Sequence, residues 1–552
     1  MSTKKGFPRR GLSFAEMKIL ELSIKNLRSL AKFELGFEGD SVFLIGENGS
    51  GKTTVLDAVA RTMGRARRLT RSDFGDLERP IEIEVKVGEL STEQRGLFAD
   101  EIDFTQPVTL TLGVKAVWDA DLEVVDLVHG FPHRDWKKTK REQREALSLE
   151  WLPDTRNIGA MLQLGRPRTL VAKLVEGLSI ESSIEEAAQG ISDVRQKLSE
   201  DASLKSLFVE ACQDLGRLVP GITEDVFSVG SSDATTEELL GDLEIFFSHY
   251  GHPVPLPKQS SGLGQLAGFA FAMQLVRKQA GTILLIDEPE KSLHPQAQRA
   301  LIRALNELPC QTVIATHSSN LLDRVDPRKV IRLFRTTGGS VEATRPQGLT
   351  ETEALRFARF STPQTAEAFF AQGVILVEGV SDKLAMEVAA EKMGRNLDGD
   401  GVTIVSMEGG GGLKTFLGML GPRGFSLRLA GLCDADKETS WANHLKSAGL
   451  VHNLSRTDLE AIGFFVCDPD LEAELLRALG VNQALKVIED RGDRSAFDRF
   501  AAQPQHQSKA VEEQLLDFLG TRGRNVLYAP VFVDCLDPSQ IPQPLVGVVE
   551  SV

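Results

Sequence analysis

The eight residues Gly46-Glu47-Asn48-Gly49-Ser50-Gly51-Lys52-Thr53 restrict this chain more than any other stretch. Glycines let the backbone close around an anion, Lys52 supplies a cation, and the Thr53 hydroxyl is placed for Mg²⁺. Gly46, Asn48, Gly49, Gly51, Lys52, Thr53 and Thr54 are the expected contacts to a nucleotide's phosphates. Such a loop works between a buried strand and the N-terminus of a helix, where free N–H groups and the helix dipole favour negative charge. Residues 41–45 read as that strand, and Val55, Ala58, Val59, Thr62 and Met63 recur at helical spacing after it.

A nucleotidase also needs acids at a strand end, and Ile283-Leu-Leu-Ile-Asp287-Glu288-Pro289 supplies them. Asp287 is expected to hold magnesium, directly or through water, and Glu288 to orient the attacking water. A helix begins near Pro295 and runs through Ala300, Leu301, Ala304 and Leu305, and a further buried strand over 311–316 precedes His317. Residues 17–26, 81–87 and 108–114 read as additional strands, the first by clean alternation. The stretch of about 170–250 is rich in helix formers and reads as a helical insertion, an arm or dimerisation element.

These residues resemble the ABC-type ATPases, in particular the branch that holds the SMC and recombination-repair proteins. Ser260-Ser261-Gly262-Leu263-Gly264-Gln265 is similar to their signature loop, with one residue more than the usual spacing. Asp287 to Pro295 resembles their acidic strand and dimer loop, His317 their switch histidine, and Gln94 is the one candidate for their glutamine loop. The resemblance implies ATP held between two copies of the chain, with Ser261 and Gly262 of one copy contacting the phosphate bound by the other.

At 552 residues the chain is expected to form two or three domains. Its net charge of −15 excludes a uniformly basic nucleic-acid coat, so any DNA contact falls to local patches. Five cysteines without a CxxC pair argue against a disulfide framework or zinc ribbon. No apolar run approaches the roughly 20 residues of a membrane helix, so a soluble, cytoplasmic protein is expected. The reading divides the chain into an ATPase from 1–165 and 251–345, an insertion over 166–250, and a second α/β domain over 346–552.

That second domain carries its own acids. Short β-rich runs at 374–377, 402–405, 427–432 and 464–466 alternate with helical patterns, which implies a small parallel sheet. Glu378 follows the first run, and Asp434 and Asp436 follow the third. Alternate residues of an extended segment point the same way, so Asp434-x-Asp436 can turn both carboxylates toward one ion and Glu378 adds a third hard ligand, a set suited to Mg²⁺ or Mn²⁺. The pattern is similar to the Toprim domain of topoisomerases, primases and certain nucleases, which makes Glu378, Asp434 and Asp436 catalytic as well as metal-binding. Asp382 adds a carboxylate one helical turn from Glu378, and Glu472 is the further acid that could hold a second ion; Glu474 reads as a solvated helix face.

An SMC-like ATPase followed by a Toprim domain resembles the OLD (overcoming lysogenisation defect) family of nucleases, which includes the nuclease subunit of the Gabija anti-phage system. The resemblance implies metal-dependent DNA cleavage with one or two ions, regulation by ATP, a homodimer or larger homo-oligomer, a role in anti-phage defence or repair, and a helicase-like partner as an option. It also implies a basic residue near the C-terminus, matched here by Arg524. Two basic clusters offer DNA contact: Arg61, Arg65, Arg67, Arg68 and Arg71, and Lys137, Lys138, Lys140, Arg141 and Arg144 beside Trp136. Two rival readings remain. One is an SMC-like DNA-sensing module whose Toprim domain cleaves nothing. The other is a topoisomerase or primase relative, for which only Tyr250 and Tyr528 could serve as a strand-attacking tyrosine.

Overall fold

The computed structural model describes residues 17–64, 69–105, 107–153, 161–162, 169–175, 198–222, 226–231, 243–249, 252–279, 281–323, 325–336, 338–407, 412–521 and 523–552. It forms two compact units, Met1–Leu321 with Leu333–Ala343, and Leu322–Arg332 with Thr344–Val552. No helix among the described residues is long and apolar enough to cross a membrane.

Two large sheets and a smaller three-stranded one lie among the described residues of the first unit. In the large antiparallel one, Lys18–Leu27 pairs with Leu30–Gly36 on one side and with Ile81–Gly88 on the other, and Thr109–Asp119 and Val124–Phe131 follow outward. Alternation sets its faces: Ile81, Ile83, Val85 and Val87 are buried while Glu82, Glu84 and Lys86 lie opposite. The other sheet has a parallel core in the order Leu149–Leu152, Ile283–Asp287, Thr312–Ala315, Ser41–Gly46. The acidic strand is therefore not the phosphate-loop strand's neighbour. Thr312–Ala315 lies between them, with Asp287 beside Ala315 and Ile314 beside Phe43.

The insertion departs from the expected all-helical form. Ala202–Leu218 is a helix, capped by Asp201 and buried along Leu204, Leu207, Phe208, Ala211, Leu215 and Leu218. Antiparallel strands Phe227–Ser231, Leu243–His249 and His252–Pro255 follow it. Ile245 and Phe247 alternate inward, and Phe227 packs on Phe247, Phe208 and Phe271 with ring centroids 5.7, 6.0 and 5.1 Å apart. A count of helix formers over a long window outvoted a short period-two run. Buried Asp214 ties the insertion helix to Ser261–Lys278, accepting from Gln274 Nε2 at 2.9 Å and pairing with Arg277.

The second unit carries a four-stranded all-parallel sheet in the order Val402–Ser406, Gly373–Val377, Arg428–Asp434, Phe464–Cys467. Helices Val380–Lys392, Leu471–Leu479, Arg524–Asp534 and Gln543–Glu550 contribute Ala385, Ala389, Leu475, Phe532 and Val548 to a core with Ile375, Val377 and Leu432. Tyr528 lies wholly inside that core and donates to Asp493 Oδ2 at 2.8 Å. A buried, hydrogen-bonded phenol cannot attack a DNA strand, which removes one of the two tyrosines a topoisomerase would need. Tyr250 lies outside the described residues.

Candidate nucleotide and metal sites

The strand Ser41–Gly46 is buried along its whole length and delivers the chain into the phosphate loop. Gly46, Gly49 and Gly51 all have positive φ, at 143°, 77° and 96°, a region side chains rarely enter. A Cβ on Gly46 would also meet the Leu333 carbonyl oxygen at 2.1 Å, so only glycine fits there. The helix Lys52–Thr62 then starts with no side-chain cap, leaving its first N–H groups to the loop. Asn48, Gly49 and Thr53 are exposed while Thr54 is buried behind them. Lys52 folds inward: Nζ donates to the Gly46 and Glu47 carbonyls at 2.9 Å each and to Ser50 Oγ at 3.4 Å.

Burial pushes the Lys52 ammonium down to about 8, against the pull of Glu288, Asp287 and Glu290. Bound phosphates favour the charged form and raise that value, so nucleotide binding takes up a proton once the free lysine is neutral. Affinity for a fluorescent ATP analogue is expected to be level below about pH 8 and to fall by about tenfold between pH 8 and 9.5. A titration at each pH reads this directly, and a flat profile would contradict it.

Asp287, 4 % exposed, closes its strand. Glu288 follows at φ 48°, its N–H bonded to the Ala315 carbonyl at 2.8 Å. Its carboxylate pairs with Lys291 and lies 3.8 Å from His317 Nε2. Burial, with Lys52 nearby, lowers the His317 pKa, so its imidazole is neutral at physiological pH. Sequence reasoning missed Glu290, which accepts from Thr316 Oγ1 at 2.9 Å and from the His317 N–H at 2.6 Å and so fixes the histidine's backbone. Asp287, Glu288, His317 and Lys52 are thus brought to the same strand ends.

Ser261 is exposed at the start of the helix Ser261–Lys278, and Gly262 packs against the Ser292 carbonyl. Among the described residues no hydrogen bond or ion pair joins either to the phosphate loop of the same chain. Gln94 is committed elsewhere: it completes a capping box with Ser91 and donates to the Ala146 carbonyl at 3.0 Å. Both ends of this side chain are thus held within its own capping turn and against Ala146.

In the second unit, Glu378 follows the strand Gly373–Val377 and Asp434 ends Arg428–Asp434 beside it. Ligand oxygens of Glu378, Asp434 and Asp436 lie within 4.8 Å of one another. The Asp434 N–H donates to Glu378 Oε1 at 3.3 Å, and the Leu471 N–H to Asp434 Oδ1 at 3.3 Å. Asp436 does not arrive through an extended segment. Ala435–Lys437 is a single 3-10 turn, and that turn brings the second aspartate round to the first. Lys437 Nζ holds Asp436 Oδ2 at 2.5 Å, a partner the spacing did not announce.

Asp382 stands behind these three, accepting from the Gly379 N–H at 2.9 Å. Burial first, then Asp382, Glu378 and Glu472, raises Asp434 to about 7. Burial, aided by Glu472 and Glu378, raises Asp382 to about 6, and burial also lifts Glu378 and Glu472. Half-buried carboxylates that repel one another this strongly fit a hard divalent cation, which would offset their charge. Glu472 accepts from the Asn525 side chain, another partner missed in the sequence. Arg524, the expected basic residue, instead stacks its guanidinium 4.1 Å from the Phe518 ring centre and donates to Thr521 Oγ1 at 2.6 Å. Glu474 is not a solvated face: it accepts from the Asp468 N–H at 3.2 Å and pairs with Arg477 at 2.9 Å.

The basic clusters fare unevenly. Arg61 is 3 % exposed and paired with buried Asp57 at 3.0 Å, in a network that Arg28 and Asp73 extend, so it cannot reach DNA. Asp57, its i,i+4 partner, holds that charge on the inward side of the helix. Arg65, Arg67 and Arg68 lie outside the described residues. Arg71 sits 5.8 Å from the Trp118 ring centre. Lys137 pairs with Glu101 and Arg141 with Glu145, Arg144 lays its stem on Gly64, and Lys138 and Lys140 are exposed.

Two family descriptions match this chain. "AAA domain, putative AbiEii toxin, Type IV TA system" covers residues 41–323 and so the phosphate loop, Asp287, Glu288 and His317. "Overcoming lysogenization defect protein-like, TOPRIM domain" covers residues 369–436, which hold Glu378, Asp382, Asp434 and Asp436. The chain belongs to the family of that AAA domain and carries an OLD-like TOPRIM domain behind it. Its relatives include an OLD nuclease of Thermus scotoductus, 24% identical over 72% of this chain and 78% of that protein. The Old nuclease of Escherichia phage P2 is 22% identical over 76% and 77%. The endonuclease GajA of Bacillus cereus is 23% identical over 68% of each. The chain accordingly pairs a nucleotide-binding ATPase domain with an OLD-like TOPRIM domain that uses divalent metal.

Proposed function

We propose that this chain is an ATP-regulated, Mg²⁺- or Mn²⁺-dependent DNA endonuclease of the OLD family, acting in the cytoplasm in defence against phage or in repair. The observation that carries the reading is the convergence of Glu378, Asp434 and Asp436 at one end of a parallel sheet. The names of three relatives, each a nuclease or endonuclease, support it. The ATPase would comprise 1–165 and 251–345, the insertion 166–250 would serve dimerisation, and 346–552 would form the nuclease domain.

A divalent cation held there would stabilise charge on the phosphodiester oxygens and make a bound water acidic enough to attack. Glu378, Asp434 and Asp436 would hold it, and Asp382 and Glu472 are placed for a second ion. Asp382, pushed up to about 6, can also hold or release a proton near neutral pH. In the first unit, Thr53 and Asp287 would hold the magnesium of ATP, Lys52 and the loop amides its phosphates, Glu288 would orient the attacking water, and neutral His317 would bond the terminal phosphate. Ser261 and Gly262 would reach the nucleotide of a second copy in a homodimer or larger assembly. A helicase-like partner remains part of the proposal.

Metal removal tests it. Supercoiled plasmid is expected to become nicked with Mg²⁺ or Mn²⁺, to stay intact in chelator, and to be nicked again when metal is restored. Intact plasmid with both metals in every nucleotide state would overturn the nuclease reading and leave the DNA-sensing module in its place.

A further inference from the structure

The helix Ser261–Lys278 is buried without interruption from Gln265 to Val276, and its one buried polar residue in the first turns is Gln265, 2 % exposed. Its Nε2 donates to the Pro289 carbonyl at 3.2 Å, and its Oε1 has no hydrogen-bond partner among the described residues. A leucine or methionine would fill the same volume and leave no unmet acceptor, so packing alone does not account for a glutamine here. Its purpose lies in the bond it makes.

Pro289 follows Glu288 in a turn that is unusually constrained. Glu288 and Ser292 both occupy the left-handed region, at φ 48° and 61°, where side chains are strained and persist only when the surroundings hold them. One side of the turn is held by Gln298, which donates to the Glu290 and Leu293 carbonyls at 3.4 and 2.9 Å. The other side meets the first turn of the helix: a Cβ on Gly262 would lie 2.4 Å from the Ser292 carbonyl oxygen, so the two segments touch backbone to backbone. Gln265 is the hydrogen bond across that contact. It lies one helical turn from exposed Ser261, and its acceptor is the residue next to Glu288.

We propose that Gln265 is a positioning residue for Glu288: it fixes the Pro289 carbonyl, and so the angle at which the Glu288 carboxylate faces the attacking water, to the position of the helix that begins at Ser261. A displacement of Ser261 or Gly262 is carried to Glu288 through this bond without any change at the phosphate loop. The inference rests on the reading of Glu288 as the residue that orients water.

The test uses the full chain and compares Gln265→Met, Gln265→Asn and Glu288→Gln by ATP hydrolysis, binding of a fluorescent ATP analogue, and thermal unfolding. Both Gln265 variants are expected to lose about tenfold in kcat while the analogue's Kd stays within about twofold and the unfolding midpoint is retained in at least one of them. Glu288→Gln is expected to lose more. If Glu288→Gln abolishes hydrolysis and both Gln265 variants hydrolyse like wild type, the inference is overturned. A Kd that rises in step with the fall in kcat, or a loss of folding in both variants, assigns Gln265 to packing and also overturns it. Wild-type hydrolysis by Glu288→Gln, or none by the unaltered chain, removes the reading of Glu288 and the inference with it.

Discussion

Asp434→Ala and Glu378→Ala are each expected to lower metal-dependent nicking by about three orders of magnitude, because each removes a ligand from an ion whose charge stabilisation is worth several kcal/mol. Their effects should not add, since either loss disables the same ion. Burial and the facing acids hold Asp434 at about 7, so a proton competes with metal at neutral pH. The sign follows from that raised value: metal affinity is full above about pH 7 and is lost as pH falls through it, by about tenfold from pH 8 to pH 6. Mn²⁺ titration by calorimetry separates binding from turnover. Nicking by either alanine variant within about threefold of wild type would place the chemistry elsewhere.

Lys52→Met is expected to weaken ATP-analogue binding by about a hundredfold, the equivalent of about 3 kcal/mol for a lost charged contact. Methionine keeps the volume of the stem. The free protein should not be destabilised, because Lys52 is buried at a lowered pKa and gives up only the Gly46 and Glu47 carbonyls and Ser50 Oγ within the loop. An unfolding midpoint equal to or above that of wild type, together with lost binding, is therefore the expected pair of results. Unchanged binding would show that the loop amides alone hold the phosphates. Plasmid nicking by the same variant then reports whether the nucleotide is needed for cleavage.

Much of both sites was readable from the chain because their determinants are local. Gly46 to Thr53 is one strand, one loop and one helix turn, and its glycines sit where the backbone needs positive φ. Glu378 and Asp434 could be paired because each follows a short apolar run, and parallel strands bring such ends together. The insertion was harder, since Ile245 and Phe247 declare a strand only through the aromatic cluster that receives them. The same holds for Arg61: composition gives its charge, but its burial depends on Asp57 and on the sheet packed over the helix.

By itself, then, the sequence determined the identities and the order of the two acid sets, the phosphate loop, and an α/β architecture, all of which depend on spacing within a few turns or one strand. Only the tertiary structure decided that Thr312–Ala315 separates the phosphate loop from Asp287, that a 3-10 turn brings Asp436 to Asp434, that Glu290 clamps His317, and that Gln265 grips Pro289. Each of these depends on which side chain a neighbouring element presents. A side chain's hydrogen-bond capacity is visible in the sequence, but its partner is set by distance and burial, and those come into being only when the sheets and helices close around it.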